Sequence, residues 1–193
     1  MKSWRIFFTG VGGQGTLLAT RVLGEAALLS DISVVVSEIH GMAQRGGVVE
    51  SAVVMGAAQS PVISDGEADI LMAFEPLETV RALRKCSSCS LVIANTSPIS
   101  PFSVSSGREQ YPDVIDIMNT VSNKVERLVS FDARALAREA GSELSVNMVM
   151  LGALMQYGEM PFGREVVETV LSTRTKKTFL EMNQKAFDLG YQV

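Results

Sequence analysis

A glycine-rich segment near the N-terminus constrains the fold more than any other part of the chain. The short apolar run from Trp4 to Thr9 predicts a β-strand, and Thr16 to Ser30 predicts a helix with Leu18, Val22, Ala26 and Leu29 on its inward face. Between them stands the run GVGGQG, Gly10 to Gly15. A strand, a glycine turn and a helix in this order are typical of an α/β protein.

The same segment predicts a phosphate-binding loop. Gly10, Gly12 and Gly15 fit the pattern G-x-G-x-x-G, and Gly13 is an additional glycine. Glycines let backbone N–H groups approach an anion, and the helix N-terminus adds roughly half a positive charge. We therefore predict cofactor-binding residues at Gly10, Gly12, Gly13, Gln14, Gly15 and Thr16. The alternative is a tight turn in which glycine only allows the helix to pack closely on the strand.

Composition restricts the classes of function. At 193 residues the chain is predicted to form one domain, residues 1–193. A net charge of -4 disfavours nucleic acid as the main partner, because phosphate backbones require a clustered basic surface. No apolar stretch is long enough to cross a bilayer, and Arg5 interrupts the apolar run that a signal peptide would need. We therefore expect a cytoplasmic protein that contacts no membrane.

A second loop is the other candidate for ligand binding. Ile32 to Val36 predicts a second strand, and Ser37 to Gly47 follows it as a loop that contains the sole histidine, His40. If the first two strands are parallel neighbours, this loop and the glycine loop meet at one edge of the sheet. Gln44 and Arg45 complete the predicted cofactor-binding set, because the arginine fork suits phosphate or carboxylate. The alternative is a solvated surface charge.

The remaining pattern predicts an α/β fold in which strands and helices alternate. Val48 to Met55 has the composition of a strand, yet no crossover helix separates it from the second strand, as a standard dinucleotide-binding fold would require. We predict a single-domain, Rossmann-like mixed sheet flanked by helices, with its parallel part at the N-terminus. The further predicted strands are 70–74, 91–94 and 127–131; the helices are 76–85, 112–125, 133–140, 146–157 and 176–189; residues 95–111 are predicted to form a long loop.

Two cysteines limit the redox chemistry of the chain. Cys86 and Cys89 form C-x-x-C after a predicted helix, where the helix dipole disfavours a thiolate. Two cysteines and one histidine cannot complete a four-ligand zinc or iron–sulfur site within the chain. We therefore predict two reduced thiols and no metal site.

Helix 146–157 is apolar on most faces, which predicts either a central core helix or a contact with another chain. Its Asn147 needs a hydrogen-bond partner if it is buried.

Three motifs in order resemble one known family. They are the glycine loop, the run SEIHGMAQRGG from Ser37 to Gly47, and Asn147 followed by MLGAL from Met150 to Leu154. Together they resemble the small subunit of 2-oxoacid ferredoxin oxidoreductases, and the form HGMAQRGG is most similar to that of the indolepyruvate enzymes. The likeness covers nearly the whole chain.

The resemblance implies oxidative decarboxylation of a 2-oxoacid to an acyl-coenzyme A. In this family thiamine diphosphate, Mg and [4Fe-4S] clusters are expected on a large partner subunit, which passes electrons to ferredoxin. The chain itself has too few cysteines for a cluster, and it lacks an acidic motif that would hold thiamine diphosphate through magnesium. We expect an accessory subunit, inactive in isolation, in a hetero-oligomer where coenzyme A binds at the shared interface. No catalytic residue is assigned.

Two other readings stay open at this point. The first is a free-standing NAD(P) oxidoreductase in which Glu38, after the second strand, binds the ribose. The second is a scaffold subunit whose glycine loop packs against protein and binds no phosphate.

Overall fold

The structure is a computed structural model that describes residues 3–40, 47–57 and 60–193. The described residues form one mixed sheet in the order β2-β3-β1-β4-β5-β6. Its strands are β1 (Trp4–Val11), β2 (Val34–His40), β3 (Val48–Met55), β4 (Ala68–Ala73), β5 (Cys86–Asn95) and β6 (Arg127–Phe131). The helices are α1 (Thr16–Leu29), α2 (Pro76–Ala82), α3 (Phe102–Ser105), α4 (Val114–Ser122), α5 (Ala133–Ala140), α6 (Val146–Tyr157), α7 (Arg164–Arg174) and α8 (Lys177–Tyr191).

The predicted α/β class and the mixed, helix-flanked sheet are confirmed, but the parallel part lies elsewhere than expected. Strand β1 pairs in parallel with β4, and β4, β5 and β6 continue in parallel. The antiparallel pairs are β1 with β3 and β2 with β3, near the N-terminus. The reason is the missing crossover helix: a short connection between β2 and β3 allows only an antiparallel pair.

For the same reason the first two strands are not parallel neighbours, so the condition stated for the meeting of the two loops is not met. Strand β3 lies between them, so β1 and β2 are separated by two strand spacings, roughly 10 Å. Both are antiparallel to β3 and therefore run in the same direction. Their carboxyl ends consequently still lie at the same edge of the sheet.

The two faces of the sheet carry separate cores. On one face Ile6 and Phe8 pack with α1, α5, α6, α7 and α8; on the other Phe7 and Leu71 pack with α2 and α4. The alternation of β1 side chains between the faces follows from the period of two in a strand. Helix α6 is buried from Val146 to Leu154, which confirms it as a core helix.

Small residues bring two of these helices into close contact. A Cβ at Gly190 would lie 1.9 Å from the Val149 carbonyl oxygen, and one at Gly152 would lie 2.1 Å from the Phe187 oxygen. Gly190 lies within α8, where α8 crosses α6, whereas the predicted helix ended at residue 189. Only glycine permits backbones to approach so closely.

Several local predictions differ from the structure. Helix α1 buries Ala19, Leu23 and Ala27 in addition to Val22 and Ala26, whereas Leu18 and Leu29 of the predicted inward face are exposed. Helix α7 was not predicted, and the predicted loop 95–111 contains the short helix α3. No helix within the described residues combines the length and the apolar character needed to cross a membrane.

Candidate functional site

The glycine loop lies where the chain changes sides of the sheet. Helix α1, after β1, packs on one face, and α2, after β4, packs on the other. The neighbouring parallel strands β1 and β4 therefore send their connections in opposite directions. In open α/β sheets this arrangement opens a crevice at the carboxyl edge, where ligands bind.

The glycines of the loop serve different structural purposes. A Cβ at Gly10 would lie 2.9 Å from the Cβ of Phe74, so this glycine allows β1 and the end of β4 to pack closely. Gly13 and Gly15 have φ of 100° and 75°, in the left-handed region that disfavours other residues. Gly12 is exposed, and the nearest atom to a Cβ at this position would be the Gly47 carbonyl oxygen, at 3.8 Å.

Gln14 fixes the loop to the neighbouring strand. Its Oε1 accepts a hydrogen bond from the Val11 N–H at 2.7 Å, and its Nε2 donates to the Phe74 carbonyl at 2.6 Å. The Nδ2 of Asn95, at the end of β5, donates to the same carbonyl at 2.9 Å. These side-chain amides therefore join the ends of β1, β4 and β5, a role for Asn95 that the sequence did not reveal.

Helix α1 presents its N-terminus at this edge without a side-chain cap from the described residues. The first intrahelical bond runs from the Ala19 N–H to the Gly15 oxygen at 3.1 Å, so the N–H groups of Thr16 to Leu18 precede it. The Thr16 side chain is buried. The N–H groups of Gly12 and Gln14 are already donated, to Gly47 and Val11. An anion at the loop would therefore meet the amides of the first helical turn.

Asn147, at the start of α6, is hydrogen-bonded to the glycine loop. It is almost fully buried, and its Nδ2 donates to the Gly15 oxygen at 3.3 Å. Its Oδ1 accepts from the Met148 N–H at 3.0 Å. A Cβ at Gly15 would lie only 2.6 Å from that Nδ2. The partner that burial of Asn147 requires is thus the glycine loop itself.

A cleft of about 220 Å³ opens beside the exposed glycines. Its lining residues are Gly12, Gly13, Gln14, Asn95, Ser97, Ile99, Arg134, Glu143, Leu144 and Val146. The Arg134 charge is matched within the cleft, because its Nη2 lies 2.6 Å from Glu143 Oε2. Hydrogen bonds from Arg134 and Arg138 lower the pKa of Glu143. Among the described residues, attraction for an anion here would therefore come mainly from backbone amides.

A buried carboxylate, Glu75, holds the segment that carries Ile99, one of the residues that line the cleft. Glu75 caps α2 by accepting from the Glu78 N–H at 3.1 Å, and its other oxygen accepts from the Ile99 N–H at 3.1 Å and from the Tyr111 hydroxyl. Burial and this carboxylate raise the pKa of Tyr111 far above its usual value. Glu75 thereby holds the segment that carries Ile99 against the end of β4.

Part of the second predicted binding loop lies outside the described residues. Gly41 to Gly46, including Gln44 and Arg45, belong to that part. Ser37 to His40 extend strand β2, and the Glu38 carboxylate lies 3.7 Å from the Arg21 guanidinium. At the other end of the loop, the Gly47 carbonyl accepts from the Gly12 N–H at 3.0 Å. The chain therefore returns from the second loop directly against the glycine loop.

The two cysteines differ in exposure. Cys86 is buried at the start of β5, and burial raises the pKa of its thiol to about 11, whereas Cys89 is exposed. Both are free thiols. Within the part of the chain that the structure describes, no group of three or more His, Cys, Asp or Glu residues could hold a metal ion.

Comparison with known proteins gives one consistent result. Residues 5–193 match the family described as pyruvate ferredoxin/flavodoxin oxidoreductase. The indolepyruvate oxidoreductase subunit IorB of Methanothermobacter thermautotrophicus is 42% identical over 189 residues, which cover 98% of this chain and 96% of that protein.

Two solved structures share the fold. The keto/oxoacid ferredoxin oxidoreductase gamma subunit of Geobacter sulfurreducens superposes with a TM-score of 0.69 at 26% identity, covering 98% of this chain and 96% of that one. A chain of the 2-oxoglutarate:ferredoxin oxidoreductase of Magnetococcus marinus, solved with 2-oxoglutarate, coenzyme A and succinyl-CoA bound, superposes with a TM-score of 0.74 at 21% identity. All of this chain aligns, but only 31% of that longer chain.

Proposed function

Because the chain belongs to the pyruvate ferredoxin/flavodoxin oxidoreductase family, as the small subunit of a 2-oxoacid ferredoxin oxidoreductase, we propose that it is the partner of a larger catalytic subunit and itself carries neither thiamine diphosphate nor an iron–sulfur cluster. In the Magnetococcus enzyme the same fold occupies about a third of one longer chain. This supports the proposal that the fold works together with a larger polypeptide. We propose an arylpyruvate such as indolepyruvate as the substrate, in keeping with the names of the similar subunits. The proposed setting is the cytoplasm, and the whole chain is proposed to act as one domain.

In this proposal the larger subunit carries the cofactors. Thiamine diphosphate with Mg²⁺ supplies the carbanion chemistry, and [4Fe-4S] clusters transfer electrons to ferredoxin. The described residues of this chain fit neither group: Cys86 is buried, and no acidic set suited to Mg²⁺ is present among them. We therefore expect no turnover of an arylpyruvate, coenzyme A and ferredoxin by the purified chain until the larger subunit is added.

The glycine loop is the proposed contact for a phosphate group of coenzyme A. The support is the uncapped N-terminus of α1, whose amides lie beside the exposed Gly12 and Gly13. The adjoining cleft of about 220 Å³ is smaller than the roughly 300 Å³ typical of a pocket that encloses a whole small ligand. We therefore propose that only part of coenzyme A lies against this chain. Gln14 would position the loop, since both ends of its amide are bonded within it.

The substitution Gly12→Asp tests this proposal in the assembled enzyme. A Cβ at Gly12 would make only an ordinary van der Waals contact, at 3.8 Å from the Gly47 oxygen, so a side chain can be added without displacing the loop. A carboxylate there would repel a phosphate by several kcal/mol at about 4 Å before solvent screening. We expect KM for coenzyme A to rise at least tenfold, which corresponds to roughly 1.4 kcal/mol, while kcat at saturating coenzyme A is retained.

Gly12→Asn is the matched control, because it has the same shape without the charge. A scaffold loop that binds no phosphate would give the same KM for both variants. Equal KM values for coenzyme A in the two variants would therefore reject the phosphate site. Size-exclusion chromatography of both assembled complexes, with unchanged elution, would exclude loss of the larger subunit as the cause of a raised KM.

Gln44 and Arg45 remain proposed contacts for the same ligand. Their sequence position supports the proposal: they precede Gly47, which is hydrogen-bonded to Gly12. Arg45→Ala should raise KM for coenzyme A and leave KM for the 2-oxoacid unchanged. An unchanged KM for coenzyme A would remove Arg45 from the site.

The NAD(P) alternative is not favoured. The family match places the chain among 2-oxoacid oxidoreductases, and Glu38 lies on a strand that is separated from β1 by β3. The carboxylate of Glu38, which would have to bind the ribose, also forms an ion pair with Arg21.

A further inference from the structure

A second cleft opens at the opposite edge of the sheet, where β1, β4, β5 and β6 begin. Its volume is about 510 Å³, within the roughly 300–1,000 Å³ of typical binding pockets. Strand β1 has eight residues, so this amino-edge cleft lies roughly 25 Å from the glycine loop. It is therefore separate from the proposed coenzyme A contact.

The amino-edge cleft carries an excess of negative charge. Asp69, Glu126 and Glu159 line it, and among the described residues that line it Arg127 is the single cationic one. The Arg127 guanidinium lies 4.8 Å from the centre of the Tyr157 ring, so it is stacked on an aromatic face at the wall. Within the described part of the chain, three acidic residues and one cationic residue therefore line the cleft.

The end of a helix adds to this negative potential. Helix α6 ends at Tyr157, and Tyr157 and Gly158 both line the cleft. The carboxyl end of a helix carries about half a negative charge, which favours a cation nearby. The carboxylates and the helix end thus act in the same direction.

The wall of the cleft is also held in a defined conformation. Glu159 has φ of 47°, one of two non-glycine residues with positive φ among the described residues, and the Trp4 indole N–H donates to its carbonyl at 3.1 Å. Asp69 is tied by the Arg5 N–H, which donates to its Oδ2 at 2.7 Å. Trp4, Leu91 and Tyr157 contribute apolar surface that suits the aliphatic part of a lysine or arginine.

We propose that the amino-edge cleft docks a segment of the larger subunit that presents lysine or arginine side chains. The charge of the cleft selects a cationic occupant, and its aromatic and aliphatic walls favour a long side chain over a free metal ion. The proposal depends on assembly with a larger subunit, but not on the coenzyme A site. Failure of one can therefore be recognised while the other holds.

Cys89 provides a direct probe, because it is an exposed thiol that lines this cleft. The experiment compares alkylation of the free chain by N-ethylmaleimide with alkylation of the complete complex, whose assembly is followed by size-exclusion chromatography. We expect the rate at Cys89 to fall at least tenfold in the complex. The buried Cys86 should remain unmodified in both and serves as the internal reference. If Cys89 reacts equally fast in a fully assembled complex, the cleft is open and the proposal is wrong.

Charge reversal tests the chemistry of the occupant. The double variant Glu126→Lys/Glu159→Lys should bind the larger subunit at least tenfold more weakly than the wild type at low ionic strength. Added salt should reduce this difference in affinity between the variant and the wild type. Glu181→Lys, which changes the charge of an exposed site on α8, is the control and should assemble normally. Circular dichroism of the free variants establishes that they fold. A folded double variant that assembles with wild-type affinity would reject a basic occupant, even if Cys89 is protected.

Discussion

The substitution Gly15→Ala should destabilise the chain strongly, because this residue lies under two independent constraints. Its φ of 75° is left-handed, and its missing Cβ would lie 2.6 Å from the Asn147 Nδ2. A left-handed alanine costs roughly 1–2 kcal/mol. Displacing a buried amide from its hydrogen bond adds roughly 1–3 kcal/mol. Together these terms predict a loss of about 2–5 kcal/mol in the free energy of unfolding.

Gly66→Ala separates the two constraints. Gly66 has a similar φ of 80°, but nothing lies within 4 Å of the position of its Cβ. This control should lose only the conformational part, roughly 1–2 kcal/mol. The excess cost of Gly15→Ala over Gly66→Ala therefore measures the contact with Asn147.

Urea unfolding of the two variants, followed by the fluorescence of Trp4, gives the required free energies. In a chain of this size each kcal/mol corresponds to roughly 2–4 °C in Tm, so thermal unfolding should rank the variants in the same order. Adding Asn147→Ala to the wild type and to the Gly15→Ala variant completes a double-mutant cycle. The loss caused by Asn147→Ala should be smaller in the Gly15→Ala variant than in the wild type, by roughly 1 kcal/mol or more. Equal losses for Gly15→Ala and Gly66→Ala, or additivity within about 0.5 kcal/mol, would refute the reasoning.

Three further outcomes are expected. Gly190→Ala should destabilise the chain by roughly 2 kcal/mol or more in urea unfolding, although alanine is the better helix former, because a Cβ would meet the Val149 oxygen; a gain in stability would contradict the α6–α8 crossing. Burial, with smaller contributions from Glu75 and Glu50, raises the pKa of Glu78 above its usual value of 4.5. At a pH between 4.5 and the folded-state pKa, the folded chain therefore keeps a proton on Glu78 that the unfolded chain releases. The free energy of unfolding consequently falls as the pH rises from 4.5 through the folded-state pKa. Glu78→Gln should therefore gain stability relative to wild type as the pH rises above 4.5, and a difference that stays constant with pH would contradict this. At pH 8, Ellman's reagent should titrate one thiol in the native chain and two after unfolding, because burial raises the pKa of Cys86 to about 11; two fast native thiols would contradict its burial.

The sequence predicted those parts of the fold that depend on neighbours along the chain. The strand before the glycine loop and helix α1 after it follow from local hydrophobic periodicity. Helix α5 was predicted with the bounds that the structure shows, because Asp132 caps it by accepting from the Ala135 N–H and Gly141 follows its end.

The position of β3 between β1 and β2 could not be predicted in the same way. The absence of a crossover helix was visible, but strand pairing depends on partners that are distant in sequence. The face that α1 buries was missed for a related reason. The contacts of this helix pass through Ala19, Ala26 and Ala27, whose small side chains carry little hydrophobic signal, while the larger Leu18 and Leu29 remain exposed.

The candidate site shows the same limit. Its glycines were predicted from spacing, and Asn147 was recognised as a side chain that would need a partner, but its partner at Gly15 is 132 residues away. The meeting of Gln14 and Asn95 at the Phe74 carbonyl also joins elements far apart in sequence. The shared role of these two side-chain amides depends on the tertiary arrangement that brings the ends of β1, β4 and β5 together.

The polarity of the two edges follows from the fold itself. In β-α units the helix N-termini lie at the carboxyl edge of the sheet, as α1 does beside the glycine loop, and helix carboxyl ends lie at the amino edge, as α6 does. The first edge therefore attracts anions and the second attracts cations, before any side chain is counted. Among the described residues, side chains add net charge at the second edge, which Asp69, Glu126 and Glu159 line, whereas Arg134 at the first edge is paired with Glu143. Backbone amides can bind a phosphate without an added charged side chain, whereas a basic segment is bound through carboxylates. This asymmetry is why we propose a phosphate of coenzyme A at the first edge and a protein segment at the second.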